Sequence, residues 1–324
     1  MYGILLSYED ILRLIHEEKR PVSSIVKDFG VNDWTVDIYT DAIWPGVFRR
    51  QFAAGHVKCF PGQLGRVGGL MFDLHCHILP GVDDGADCWD DSLEMARIAV
   101  RDGVKTLVAT PHYSFDLEPA SVVELVSQLN QRLAKEQIAL TVAPGMEAYL
   151  DPDLPSLLRA GRILTIGANY LLVELPFNSL PIYTDEVLFQ VMLSGYKLIL
   201  AHPERNNKVI HNPGLIYDWV TRGMLVQVNS GSILGKFGSQ VKQTAEALVR
   251  ANLVHFIGSD AHSPNRRRPD LGEACQVLSR LTGEAEKICN NNGHLLLEGR
   301  FKPQENFTPP VFYGESWWKR LWGK

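Results

Sequence analysis

The stretch FDLHCHILPGVDDGAD, residues 72–87, crowds His75, His77, Asp83, Asp84 and Asp87 together. Carboxylates packed this closely repel one another unless cations sit between them. The same residue types recur downstream. His112 stands in KTLVATPH, Glu147 in LTVAPGMEAYL, Glu174 in NYLLVELPF, His202 in KLILAHPER, and Asp260 with His262 in VHFIGSDAH. Each lies at the C-terminal end of a short β-rich run. His75 and His77 are two apart, as are Asp260 and His262, and on a strand that spacing turns both side chains to one side. Taken singly, each is a plausible turn histidine or hydrogen-bonded loop carboxylate. Taken together, so many ionisable groups at buried strand ends are costly unless paired or bound to metal. A mixed His and carboxylate set suits Mn, Fe or Zn in a working site rather than structural zinc. The nine candidates (His75, His77, Asp84, His112, Glu147, Glu174, His202, Asp260 and His262) exceed what one ion accepts and suit two or three with a bridging carboxylate. A cluster of that kind can lower the pKa of a bound water and clamp the oxygens of a phosphate.

The elements that must position these groups alternate regularly after Met71. Seven β-rich runs begin with MFDLHCH and end with VHFIGSDAH. Between them lie helical stretches such as DDSLEMARIAVRDG, ASVVELVSQLNQRLAKE, TDEVLFQVMLSG, GLIYDWVTRG, SQVKQTAEALVRAN and DLGEACQVLSRL. Gly103, Gly195 and Gly223 are placed as helix stops. The alternation predicts an α/β domain with parallel strands, closed or distorted into a βα barrel, in which strand ends converge on one face. Residues 1–70 differ in character: helical spacing over YEDILRLIHEEKR and a turn before VNDWTV predict a small helical extension, compatible with a helix-turn-helix over residues 8–45. The Gly- and Arg-rich run from Gly46 has no periodicity and is expected to be a linker, so the domain is expected to begin at Met71, with residues 1–70 either an extension or a non-native upstream frame. Residues 301–324 form an aromatic-basic tail ending in SWWKRLWGK, which either packs on the barrel, is disordered, or touches a membrane surface.

Several function classes are disfavoured. A net charge of −5 argues against a general nucleic-acid binder. No run of 18 apolar residues occurs and MYGILLSYED lacks the features of a signal peptide, so a cytoplasmic protein is expected. The odd count of five cysteines, with no C-x-x-C pair, predicts reduced thiols. A thiolate phosphatase loop needs Arg six residues after its Cys; here those positions are Gly65, Val82, Glu94, Leu281 and Leu295.

The motifs HCHILPGVDDG, ATPHY, PGMEAYL, VELP, HPER and GSDAH resemble those of the PHP (polymerase and histidinol phosphatase) family, over Met71 to about Gly299. They are most similar to its branch of bacterial manganese-dependent protein-tyrosine phosphatases from capsule and exopolysaccharide gene clusters. The resemblance implies a distorted seven-stranded βα (TIM-like) barrel over residues 71–300, holding up to three Mn2+ ions, with Fe or Zn as alternatives. His75, His77, Glu147 and Asp260 would hold the first ion. Glu147 would bridge to a second, completed by His202 and Glu174. Asp84, with Asp83 as its alternative, would hold the third with His112 and His262. Arg205 and Arg267 match arginines that hold the phosphate, whereas Arg266 and Arg268 read as a solvated turn. The implied reaction is one-step hydrolysis of phosphotyrosine on the C-terminal tail of an autophosphorylating tyrosine kinase that regulates polysaccharide export. The rivals are a small-molecule phosphatase such as histidinol phosphatase, a nuclease of the same fold, and a DNA-binding regulator working through residues 8–45.

Overall fold

The computed structural model describes residues 71–311. The expectations for residues 1–70, helix-turn-helix included, and for the tryptophan-rich end fall outside these residues.

Among the described residues eight strands run in chain order: β1 (Met71–Cys76), β2 (Val104–Ala109), β3 (Thr141–Pro144), β4 (Glu147–Tyr149), β5 (Tyr170–Glu174), β6 (Lys197–Ala201), β7 (Leu225–Asn229) and β8 (Phe256–Gly258). Every pairing is parallel, in a three-stranded sheet β1-β2-β3 and a five-stranded sheet β4-β5-β6-β7-β8. The count differs from the expected seven because residues 141–149 do not stay in one sheet. They pair with β2 up to Pro144, turn through Gly145 and Met146, and then pair with β5. Bridges join the two sheets at both seams: His112 with Glu147, and Cys76 with Ala261. The second seam is tight, with Asp260 N–H donating to the His75 carbonyl and His77 N–H to the Ala261 carbonyl, both at 2.8 Å.

The strands are apolar on both faces, as parallel strands covered by helices must be. Tyr170, Leu171, Leu172 and Val173 of β5 are all buried, as are Leu198, Ile199 and Leu200 of β6. Helices lie between the strands. The first, α1 (Trp89–Asp102), carries Asp90 and Asp91 in its opening turn, where the helix dipole favours acids, and buries Ser92, Met95, Ala96 and Ala99 on one stripe. The next, α2 (Pro119–Lys135), starts on proline and buries Val122, Val126, Leu129 and Leu133. Gly103, Gly195 and Gly223 all adopt positive φ just past helix ends, as their placement predicts.

The cysteine expectation needs correction. Cys275, on the helix Gly272–Leu281, and Cys289, in the π-turn Lys287–Asn291, are joined as a disulfide, their Cα atoms 6.2 Å apart. Cys76 is a buried free thiol and Cys88 an exposed one.

Candidate metal centre

Most of the candidate ligands stand at or just past the C-terminal ends of strands, and Asp84 lies in the loop that follows β1. Residues alternate on β1, so His75 points inward while Phe72, Leu74 and Cys76 fill the helix-facing layer. His75 and His77 are fully buried, and their Nε2 atoms approach to 3.0 Å. Glu147 opens β4, Glu174 closes β5, and His202 directly follows β6. His202 and Asp260 hold left-handed backbone conformations, with φ of 32° and 52°. Such backbone costs on the order of 1–3 kcal/mol and persists where the surroundings impose it, often at working sites.

Four overlapping groups have donor atoms mutually within 4.8 Å: His77, Asp84, His112 and His262; His75, His202 and Asp260; His75, His77 and Glu147; and His112, Glu147 and Glu174. Asp84, His112 and His262 fall in one group together with His77, and Glu147 belongs to two of the others. His202 sits 3.1 Å from Glu147, but it also shares a group with His75 and Asp260. Glu147 is the hub. Its Oε2 lies 3.1 Å from His75, 3.3 Å from His77 and 3.2 Å from His112, yet makes no hydrogen bond, although it is buried. An orphaned carboxylate oxygen inside a ring of imidazole nitrogens is unfavourable for protein atoms alone and fits a cation among them.

The electrostatics agree. Burial pulls the His77 imidazolium down, but its bond to Asp83 and the negative charge of Glu147 outweigh that and push it up to about 10. His262, with its ring 4.0 Å from His77, is driven to about 4 by burial and then by the positive charges of His77 and Arg267. Burial works against the Glu147 carboxylate, yet His75 and His202 hold it well below the usual range. Glu174 is raised, by burial first and then by the Glu147 charge.

Asp83 and Asp84 separate clearly. Asp83 accepts from His77 Nδ1 at 2.7 Å and from the N–H groups of Gly85 and His112. Asp84 faces the other way, its Oδ1 3.3 Å from His262 and 3.5 Å from His112. Gly85 is required for that turn, because a Cβ there would strike the His77 backbone and sit 2.7 Å from His77 Cβ.

Two arginines close the mouth, both on Asp260 Oδ2: Arg205 at 3.0 Å and Arg267 at 2.5 Å. The Arg205 guanidinium lies between the rings of Phe177 and Phe237, at 4.6 and 4.4 Å. Arg266 and Arg268 are exposed, and Arg268 pairs with Asp270.

Sequence reasoning missed a supporting layer. Gln227 and Asn229, two apart on β7, are fully buried. Gln227 Oε1 is 3.1 Å from His75 Nδ1, Gln227 Nε2 donates to Asn229, and Asn229 Nδ2 donates to Asp260 at 2.6 Å. Asp73 was also missed. It lies below His75 on the same strand face and accepts from the Ser259 and His75 N–H groups. The rule of polar residues two apart at a strand end, extended to amides and one layer deeper, finds all three.

The family model for capsular polysaccharide synthesis, CpsB/CapC, matches residues 71–298. The chain belongs to the CpsB/CapC family. It is 43% identical over 235 residues to tyrosine-protein phosphatase YwqE of Bacillus subtilis, spanning 71% of this chain and 92% of that protein. It is 33% identical to the putative tyrosine-protein phosphatase CapC of Staphylococcus aureus, spanning 76% and 98%. A chain from the crystal structures of YwqE and of Streptococcus pneumoniae CpsB, described as unique metal-dependent tyrosine phosphatases, superposes with a TM-score of 0.69 at 41% identity, over 76% of this chain and 100% of that one. The matched CpsB/CapC region contains every candidate ligand and both arginines.

Proposed function

We infer that this CpsB/CapC chain is a metal-dependent protein-tyrosine phosphatase, a phosphoric monoester hydrolase that does not use cysteine. The observation that carries the reading is the buried Glu147 oxygen held among three imidazoles beneath two mouth arginines. The named relatives it matches over 92% and 98% of their own length are a tyrosine phosphatase and a putative one. The two seamed sheets are read as the distorted barrel of the PHP fold, with residues 71–300 as the phosphatase and the flanking segments as additions.

The nine ligands are proposed to hold two or three ions, Mn2+ first among the candidates, with Fe or Zn as alternatives. When bound, such ions make water a nucleophile at neutral pH and offset the charge of the phosphoryl oxygens. The chain's own groups do the rest. Arg205 and Arg267 present planar forks of donors that suit phosphate oxygens. Asp260 holds both guanidinium groups in place. Gln227 and Asp83 fix the rings of His75 and His77, each through the Nδ1 nitrogen that faces away from the cluster. The departing phenolate has a pKa of roughly 10, so acid assistance is not required. A thiolate route is disfavoured further by Cys76, which is buried, with its thiol pushed well up by burial and then by Asp73. The proposed substrate is the phosphorylated tail of a tyrosine kinase of polysaccharide synthesis, met in the cytoplasm. Among the described residues no helix is long and apolar enough to cross a membrane.

The test is phosphate release from a phosphotyrosyl peptide by chelator-stripped protein before and after Mn2+ is restored. Activity that returns with metal and falls on the order of 10²-fold in Arg205→Ala is expected. Release from histidinol phosphate but not from the peptide would overturn the substrate.

A further inference from the structure

The apolar residues left in water near this centre follow a pattern. Phe115, Tyr149 and Phe177 are 71%, 51% and 41% exposed. Each stands two or three residues beyond a candidate ligand: Phe115 after His112, Tyr149 after Glu147, and Phe177 after Glu174. Their placement follows from the strands. Glu147 and Tyr149 share one face of β4, so Tyr149 is one layer nearer the mouth than the hub carboxylate. The β4-β5 register sets Tyr149 beside Glu174. Phe177 stacks on His202, centroids 6.0 Å apart and planes 16° from parallel, and touches Arg205 as described. Phe115 lies in a tethered loop, since Arg162 donates to the Phe115 carbonyl at 2.6 Å and pairs with Glu118 at the same distance. Its ring stands 5.9 Å from that of Tyr113.

Exposed aromatic faces grouped around a polar opening are a mark of a ligand-binding surface. We propose that Phe115, Tyr149 and Phe177 form an aromatic collar that receives the phenyl ring of an aryl phosphate monoester while Arg205 and Arg267 hold its phosphoryl group. The inference rests on the phosphatase reading and adds the origin of its aryl preference. A tyrosine ring spans the collar and keeps the peptide backbone outside it. A phosphoserine side chain is too short to do so, and its backbone would have to enter between the aromatic rings.

The test compares kcat/KM for a phosphotyrosyl peptide with that for acetyl phosphate, which has a good leaving group and no ring. Tyr149→Ala and Phe115→Ala are each expected to lower the peptide-to-acetyl-phosphate ratio about five- to tenfold, the worth of one aromatic pair. Tyr149→Phe is expected to restore the ratio. Ratios that stay at the wild-type value, or equal losses on both substrates, would overturn the collar and leave the phosphatase reading standing. Wild-type protein that cleaves acetyl phosphate but not the peptide would overturn that reading, and the collar with it.

Discussion

At the residue scale, adjacent aspartates have opposite duties. Asp83 spends its oxygens on His77 and two backbone N–H groups, whereas Asp84 offers one to His112 and His262. Asp84→Ala is therefore expected to lower bound Mn2+ by about one equivalent in metal analysis after dialysis. Asp83→Asn should keep the stoichiometry but weaken affinity by roughly 10- to 100-fold, as loss of an outer partner does. Identical metal titrations for the two variants would refute the distinction. His255 supplies a pH test away from the centre. It is buried, its Nδ1 accepts from Val226 N–H, and burial drives it down from 6.5 to about 4. The unfolded chain takes up this proton near 6.5 and the folded one does not. Its contribution is thus complete above pH 6.5 and is lost as pH falls toward 4, amounting to about 3 kcal/mol. Urea midpoints measured from pH 7 to 4 should fall less steeply for His255→Gln than for the native protein, and parallel slopes would contradict the assignment.

At the scale of elements, the seam between β1 and β8 decides whether His75 meets the other candidate ligands. A Cβ on Gly258 would lie 2.6 Å from His75 Cβ and 2.7 Å from Gln227 Nε2. Gly258→Ala should cost about 1–3 kcal/mol in urea denaturation and weaken Mn2+ binding as well. An unchanged midpoint and affinity would show that the seam relaxes freely. Helices and strands were legible because their signals are local. The stripe of Met95, Ala96 and Ala99 and the stop at Gly103 need only neighbours along the chain. The break between β3 and β4 was not legible, because a change of pairing partner depends on where β2 and β5 stand and not on residues 141–149 themselves.

For the whole molecule, the proposed metals and the fold should be linked. Ions that bind the folded chain at 100 times their Kd add about 2.7 kcal/mol, and for a domain of this size that raises Tm by roughly 5–10 °C. Chelation should remove this increment in a thermal melt, and Glu147→Gln should blunt the response to added Mn2+. A melt indifferent to chelator would separate the ligands from any bound ion. A chain beginning at Met71 is expected to keep the kcat/KM of the full chain on a phosphotyrosyl peptide, since every proposed ligand and arginine follows that residue. A large loss on truncation would give residues 1–70 a part in the reaction.

What the amino-acid order determined by itself was chemical type and periodic position. Histidines and carboxylates two apart at strand ends, such as His75 with His77 and Asp260 with His262, mark a shared face whatever their partners are. Only the tertiary structure decided which groups meet. It set Glu147 among His75, His77 and His112, turned Asp84 toward His112 and His262 and Asp83 toward His77 Nδ1, and placed Gln227 and Asn229 behind the cluster. It also joined Cys275 to Cys289, against the expectation of free thiols. The reason is physical: periodicity along a strand is a property of neighbours, whereas a ligand cluster is assembled from segments nearly 200 residues apart, by way of seams that no single segment encodes.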